Sequence, residues 1–443
     1  MTHAAPTRLQ GLTRAVRRPG FGQSIARTAG FNFASAAVAG LGGVVIARTL
    51  GPTVRGEYAA IIAWLGIVQM FGGMGQPAAL CFYVARDPGR GRDYAATSRA
   101  MMLATGGLVL AIGMLLAQPL AHRRAGVAIG YEIAFGSSII SFVSASYTFS
   151  LQARDLHRWN VVRLSQPLLG FGAIIVLWRL GVLTLSTGVA AVAVTNFAQL
   201  VWAYGCCRRT GLAPGRTCAR LVRPLAAYGT AQIAALTPAT VNATLDQLVL
   251  SQTVPPADLG RYAIAVSLTS LPIPLVSAIG NVAFPHLAAQ YAVTEATRRL
   301  QLRAVLGSAS LAAAILVPLA LVAYWLIPLV FGTGYRGAVP LLWILTPGAV
   351  FLACGQVVGD LLRGRNQPIV VAWAQGLAAA FTVALLIGLL PVLGVSAAAI
   401  ASTVAYGFAL AVMVRSLKRL PRHARGSGPL VPPAAVESPA TQV

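Results

Sequence analysis

The sequence predicts an all-α polytopic membrane protein of about twelve transmembrane helices, and three observations carry that prediction. Apolar residues make up 57% of the chain and charged residues only 10%, well under the roughly one quarter usual in soluble domains. Polar residues collect in short clusters between apolar runs of about 20 residues, the length a helix needs to cross a hydrocarbon core of about 30 Å. A helix also satisfies its own backbone hydrogen bonds, which lipid cannot do.

Taken in order, the expected spans are 29–50, 57–83, 100–120, 127–150, 164–183 and 187–207, then 226–251, 259–283, 304–331, 338–361, 369–391 and 394–414. Several are rich in Gly, Ala and Ser, as in Phe31 to Gly43, which lets helices approach closely. With the N-terminus inside, 27 of the 34 lysines and arginines fall in cytoplasmic segments and 7 outside. That asymmetry predicts a multi-pass protein of the cell membrane with both termini in the cytoplasm. The net charge of +24 is spread over these loops, not gathered into one patch, so no nucleic-acid partner is expected.

Residues 1–28 lack a compact apolar core and cleavage site and read as a cytoplasmic segment, not a removed signal peptide. Residues 29–207 and 226–414 are the expected lobes, joined by a cytoplasmic linker, 208–225. Residues 415–443 form a cytoplasmic tail whose Pro-, Gly- and Ala-rich end predicts disorder. The five cysteines and scattered histidines (His122, His157, His286 among them) show no ligand spacing, so neither a metal nor a cofactor is expected.

Two local matches suggest an internal duplication. Gly56-Glu57-Tyr58-Ala59 opens the second span and Gly260-Arg261-Tyr262-Ala263 the eighth. Arg154 with Val161-Val162 follows the fourth span, and Arg363 with Val370-Val371 follows the tenth. Six spans per half give a parallel repeat about an axis along the membrane normal, as in one class of transporters that rock one half against the other.

The chain resembles the multidrug/oligosaccharidyl-lipid/polysaccharide (MOP) flippase superfamily, in its polysaccharide (O-antigen type) flippase branch, over about residues 22–415. The resemblance is carried by Ile46 through Pro52 with Gly56 through Ala59, by Leu245-Asp246-Gln247-Leu248-Val249-Leu250-Ser251, and by Leu259 through Ala265. Phe331-Gly332 through Tyr335 and the polar turn Arg363 through Pro368 add to it. It implies two six-helix lobes in a V shape around a central cavity, working by alternating access. It also implies a polyprenyl-pyrophosphate-linked oligosaccharide as substrate, moved from the inner to the outer leaflet for polysaccharide export. Membrane lipids and a glycan polymerase or ligase are the further partners in that reading. No GxxxxGK[ST] loop is present, so a gradient, the membrane potential or consumption of the product outside would supply energy.

Charges inside spans cost about 2.5–3.5 kcal/mol at mid-membrane on insertion scales and mark candidate sites. Asp246, near Asn242 and Gln247, is read as a coupling-cation or proton site or the partner of a cavity arginine, against a structural or interfacial charge. Arg48 either draws pyrophosphate outward or closes an outer gate with Glu57, against a snorkelling end residue; Arg261 holds the repeat-related boundary. Glu132 is read as interfacial. Asn32 and Asn281 are expected at the lobe interface, as headgroup ligands or helix-to-helix bonds. Arg154, Arg163, Arg303 and Arg363 lie at the inner mouth, where their expected role beyond topology is to gather anionic headgroups. Pro272 and Pro274 mark a kink, hinge or fixed bend.

Three other functions compete with this reading. A multidrug or small-molecule antiporter of the same superfamily would share the fold. A lipid II flippase usually has fourteen helices and arginines within the first, which Phe31 to Ile46 lacks. A membrane glycosyltransferase or polymerase would need catalytic groups in sizeable external loops; these loops are short, with Glu57 and Asp258 as their acids, so a non-enzyme is expected.

Overall fold

Glycine and proline decide where the first helices begin, bend and end. The computed structural model describes residues 21–213, 215–277, 279, 295–365 and 367–419. The expected N-terminal segment up to residue 20, the tail from 420, Asn281, His286 and Asn366 lie outside these. Helix α1 (Phe21–Gly72) contains Gly51 at φ 75° and ψ 178°, followed by Pro52. Glycine tolerates that backbone region, and proline's fixed φ suits the first turn of the next helix. So α1 is two limbs, the first matching span 29–50.

The second limb corrects the sequence reading. Span 57–83 was expected to be continuous, but it breaks at residues 73–75, where Met74 and Gly75 take φ of 46° and 61°. Helix α2 (Gln76–Arg86) restarts there with proline in its first turn. A β-carbon on Gly75 would overlap the Gly229 backbone, so the break seats the chain against that helix.

The remaining helices are α3 (Gly91–Leu120), α4 (Ala125–Arg154), α5 (Leu156–Arg179), α6 (Leu185–Arg209), α7 (Ala219–Thr253) and α8 (Pro256–Thr269). Helices α9 (Glu295–Phe331), α10 (Ala338–Gly364), α11 (Pro368–Leu393) and α12 (Val395–Arg419) complete the chain. Among the described residues there is no strand. Ten helices, with α1 counted once, are long and apolar enough to cross a membrane. The more polar α7, carrying Asn242 and Asp246, falls outside that set. Counting the limbs of α1 separately and adding α7 recovers the expected number.

Two further boundaries differ from expectation. Helix α8 stops at Thr269 and the chain turns through residues 270–272 before resuming at Ile273, so Pro272 marks a break and not a gentle bend. Residues 219–225, expected as linker, form the start of α7, and Leu221 and Leu225 pack with Leu80, Val84 and Trp159.

The duplication is visible in the packing. In the first half α3 packs on α4, α4 on α6, α5 on α6, α1 on α5, and α2 on α4. In the second half the corresponding neighbours are α9 on α10, α10 on α12, α11 on α12, α7 on α11, and α8 on α10. The bundle therefore holds two copies of one six-helix unit. Its outer surface is apolar: Leu115, Ile387 and Val392 are 77%, 73% and 80% exposed, which a bilayer accepts and water does not.

The halves meet on their duplicated motif. A β-carbon on Gly56 would overlap the Pro256 carbonyl oxygen and stand 2.9 Å from Gly260 N. One on Gly260 would overlap the Pro52 carbonyl oxygen and stand 3.0 Å from Gly56 N. The two matched glycines thus face each other, backbone against backbone, as the repeat axis requires. Arg48 Nη1 donates to Leu329 O at 3.0 Å, Tyr335 Oη to Ala47 O at 3.1 Å and Trp64 Nε1 to Ser251 Oγ at 3.0 Å across the same seam. At the opposite, basic end, Arg92 donates to Gly211 O, and Arg216 N donates to Asp93 Oδ1 at 3.2 Å.

Candidate functional site

Two faces of the first half enclose a polar cavity of about 610 Å³. Both limbs of α1 contribute to it through Ser35 and Gln69, α4 through Ser141 and Thr148, α5 through Arg163 and Gln166, and α6 through Asn196 and Gln199. Arg163 and Gln166 are three residues apart, as are Asn196 and Gln199, which puts each pair on one helix face.

These groups hold one another in place. Gln166 Nε2 donates to Asn196 Oδ1 at 2.9 Å, and Asn196 Nδ2 donates to Ser141 Oγ at 2.9 Å. Ser144 Oγ donates to Gln199 Oε1 at 3.3 Å, and Gln199 Nε2 to Val162 O at 3.0 Å. Thr148 Oγ1 is buried in the cavity wall with no hydrogen-bond partner among the described residues. The wall is rich in amides and hydroxyls that both donate and accept.

Among the described residues lining this cavity, Arg163 is the one charged side chain. Its guanidinium lies 4.4 Å from the centre of the Trp159 ring, and Nη1 donates to Asn32 Oδ1 at 3.2 Å. Stacking on an aromatic face fixes the plane of the guanidinium, leaving its other N–H groups for an anion. Among the described residues, no carboxylate lines the cavity. The arrangement suits a ligand that is anionic at one point and rich in hydroxyls elsewhere.

The sequence-predicted residues divide into three groups. Asn32 and Arg163, expected at the lobe interface and at the inner mouth, come together inside the first half. Asn242 and Asp246 lie in the second half: Asn242 Nδ2 donates to Gln375 Oε1 at 2.9 Å, and Thr382 Oγ1 donates to Asn242 Oδ1 at 3.4 Å. Asp246 is 3% exposed and accepts from Tyr262 Oη, from Ser402 Oγ at 3.1 Å and from Gln247 N at 2.7 Å. None of those partners is cationic, so the expected pairing with a cavity arginine is absent among the described residues.

The third group lies away from the cavity. Arg48 does not pair with Glu57, which instead bonds Arg124; its reach to the Leu329 carbonyl explains the difference. Arg261 pairs with Asp258 at 2.6 Å and donates to Gly334 O at 3.2 Å. Arg154 and Arg303 are exposed, and Arg363 pairs with Asp360 at 2.8 Å. Gln166, Asn196, Gln199 and Ser141 were not singled out from sequence. Their signal was the three-residue spacing of polar groups inside otherwise apolar spans.

Comparison with known proteins now bears on this geometry. The profile of the polysaccharide biosynthesis protein family matches residues 21–291. The chain belongs to that family. No curated protein sequence matches it. Among solved structures it resembles an inward-facing multidrug resistance MATE family transporter of the MOP superfamily, with a TM-score of 0.72 at 13% identity, covering 87% of this chain and 94% of that one. It also resembles the lipid II flippase MurJ in an inward closed conformation, with a TM-score of 0.73 at 10% identity, covering 89% and 87%. An outward-facing MATE transporter superposes with a TM-score of 0.62 at 14% identity, covering 90% and 95%. This member of the polysaccharide biosynthesis protein family is a multi-pass membrane protein with the fold of the transporters it superposes on.

Proposed function

We propose that this chain is a flippase that moves a polyprenyl-pyrophosphate-linked oligosaccharide from the inner to the outer leaflet, for polysaccharide export. The observation that carries the reading is the charge of the polar cavity. Among the described residues it holds one oriented arginine and no carboxylate, which complements a sugar pyrophosphate. Charge-assisted bonds from a guanidinium to phosphate are roughly twice as strong as neutral ones. A cationic drug would meet repulsion in the same place, so the cavity disfavours the multidrug alternative.

In this reading the basic end faces the cytoplasm and residues 29–207 and 226–414 are the moving lobes. The seam at Gly56 and Gly260 then closes the outer end while the cavity loads from inside. The chain acts by binding and reorienting its substrate, not by bond chemistry. A polymerase or ligase acting on the delivered glycan is the natural partner outside.

Depleting the protein in its native cells tests the reading. Lipid-linked oligosaccharide accumulates in the inner leaflet if it holds. Normal glycan export with new sensitivity to small cationic toxins would transfer the assignment to the drug-exporting branch.

A further inference from the structure

A second cavity, about 800 Å³, lies at the seam where α2 and α4 of the first half meet α7 of the second. Its lining is more apolar than that of the first. Pro77, Ala78, Cys81, Phe82, Phe149 and Tyr228 supply an apolar and aromatic wall, with Gln152 and Arg86 as the remaining polar groups. Phe82 and Tyr228 stack with ring centres 4.6 Å apart. The exposed Arg86 guanidinium sits 5.8 Å from the centre of the Phe82 ring.

Phe149 lines both cavities. The molecule therefore presents two adjoining cavities that meet at Phe149, one lined by amides and hydroxyls with Arg163, the other apolar and edged by Arg86. A lipid-linked sugar likewise joins a hydroxyl-rich, anionic headgroup to an apolar chain. We propose that the α2–α4–α7 cavity seats the isoprenoid units nearest the pyrophosphate, while the Arg163 cavity holds the sugar pyrophosphate. The proposal rests on the flippase reading. It deepens that reading by giving the carrier chain a protein site at the junction of the two halves, where their relative movement would grip or release it.

The test uses the full chain in vesicles of phosphatidylethanolamine and phosphatidylglycerol. The first probe is a polyprenyl-pyrophosphate disaccharide with a diazirine on its first isoprene unit. Photolysis is expected to place adducts on residues 77–86 and on Tyr228; adducts confined to other helices would overturn the proposal. The second arm fills the cavity with Ala78→Trp or Cys81→Trp. Each variant is expected to slow flipping of the fluorescent long-chain substrate by at least about tenfold, because buried apolar carbons lose their seat. Binding of a tail-less sugar pyrophosphate, read by calorimetry, stays unchanged and also reports that the variant is folded. Unchanged flipping by both folded variants would overturn the tail site. If the unaltered chain flips nothing yet gives the expected adducts, the flippase reading fails and the lipid site stands.

Discussion

Arg163 shows how much one side chain can decide in a low-dielectric cavity. An arginine within a membrane span is costly unless it is paired, and here Trp159 and Asn32 hold it but do not neutralise it. Its charge awaits an anion. Replacing it with alanine removes charge-assisted bonds of about 1.5–3 kcal/mol, which weakens binding of a sugar pyrophosphate by about tenfold or more. Arg163→Lys keeps the charge but loses the planar stack and fork, so calorimetry should place its affinity between those of alanine and arginine. Asp246 makes a different case. It is saturated by hydroxyl and backbone donors inside the second half, away from the cavity, so Asp246→Asn should leave pyrophosphate affinity unchanged. Transport by that variant falls if the carboxylate binds the coupling ion; full transport by a well-expressed variant would remove it from the mechanism. Sequence alone picked out Arg163, Asn32, Asn242 and Asp246 because charged and amide groups are rare inside spans. It did not pick the Gln166, Asn196 and Ser141 chain, since each of these is unremarkable until helices α4, α5 and α6 bring them within 2.9 Å.

At the scale of the helix, the turning points matter more than the runs between them. Hydropathy read 57–83 as one crossing because a break of three residues changes no average. The signal was the Gly72-Gly73-Met74-Gly75 sequence before Gln76-Pro77, whose meaning depends on Gly229 lying against it. The Gly56 and Gly260 motifs were legible as a duplication, but their mutual contact was not, because sequence carries no distance between elements. The contact gives a prediction. Any side chain at Gly56 overlaps backbone of α8, so Gly56→Val should hold that end of the molecule apart. A cysteine at Ala60, buried beside the seam, should then react faster with an impermeant maleimide added from that side. Labelling as slow as in the Gly56 parent would remove the seam as a gate.

For the whole molecule, the duplication organises both what is shared and what differs. The same helix neighbours recur in the two halves, yet the first encloses the polar cavity while the second buries Asp246 with Tyr262 and Ser402. Fold class was written plainly in composition, span length and loop charge, since the bilayer imposes them on the whole chain. The cavities were not, because they arise from breaks and helix crossings that no local pattern encodes. The loop charge further predicts that reporter fusions at both termini read as cytoplasmic; a terminus on the opposite face would reverse the direction of transport. The central claim is the identity of the cargo. Proteoliposomes carrying the purified protein and a fluorescent polyprenyl-pyrophosphate oligosaccharide measure it directly. The unaltered chain is expected to move that lipid, Arg163→Ala to lose the movement, and neither to move a cationic dye. Dye transport without movement of the lipid-linked sugar would contradict it.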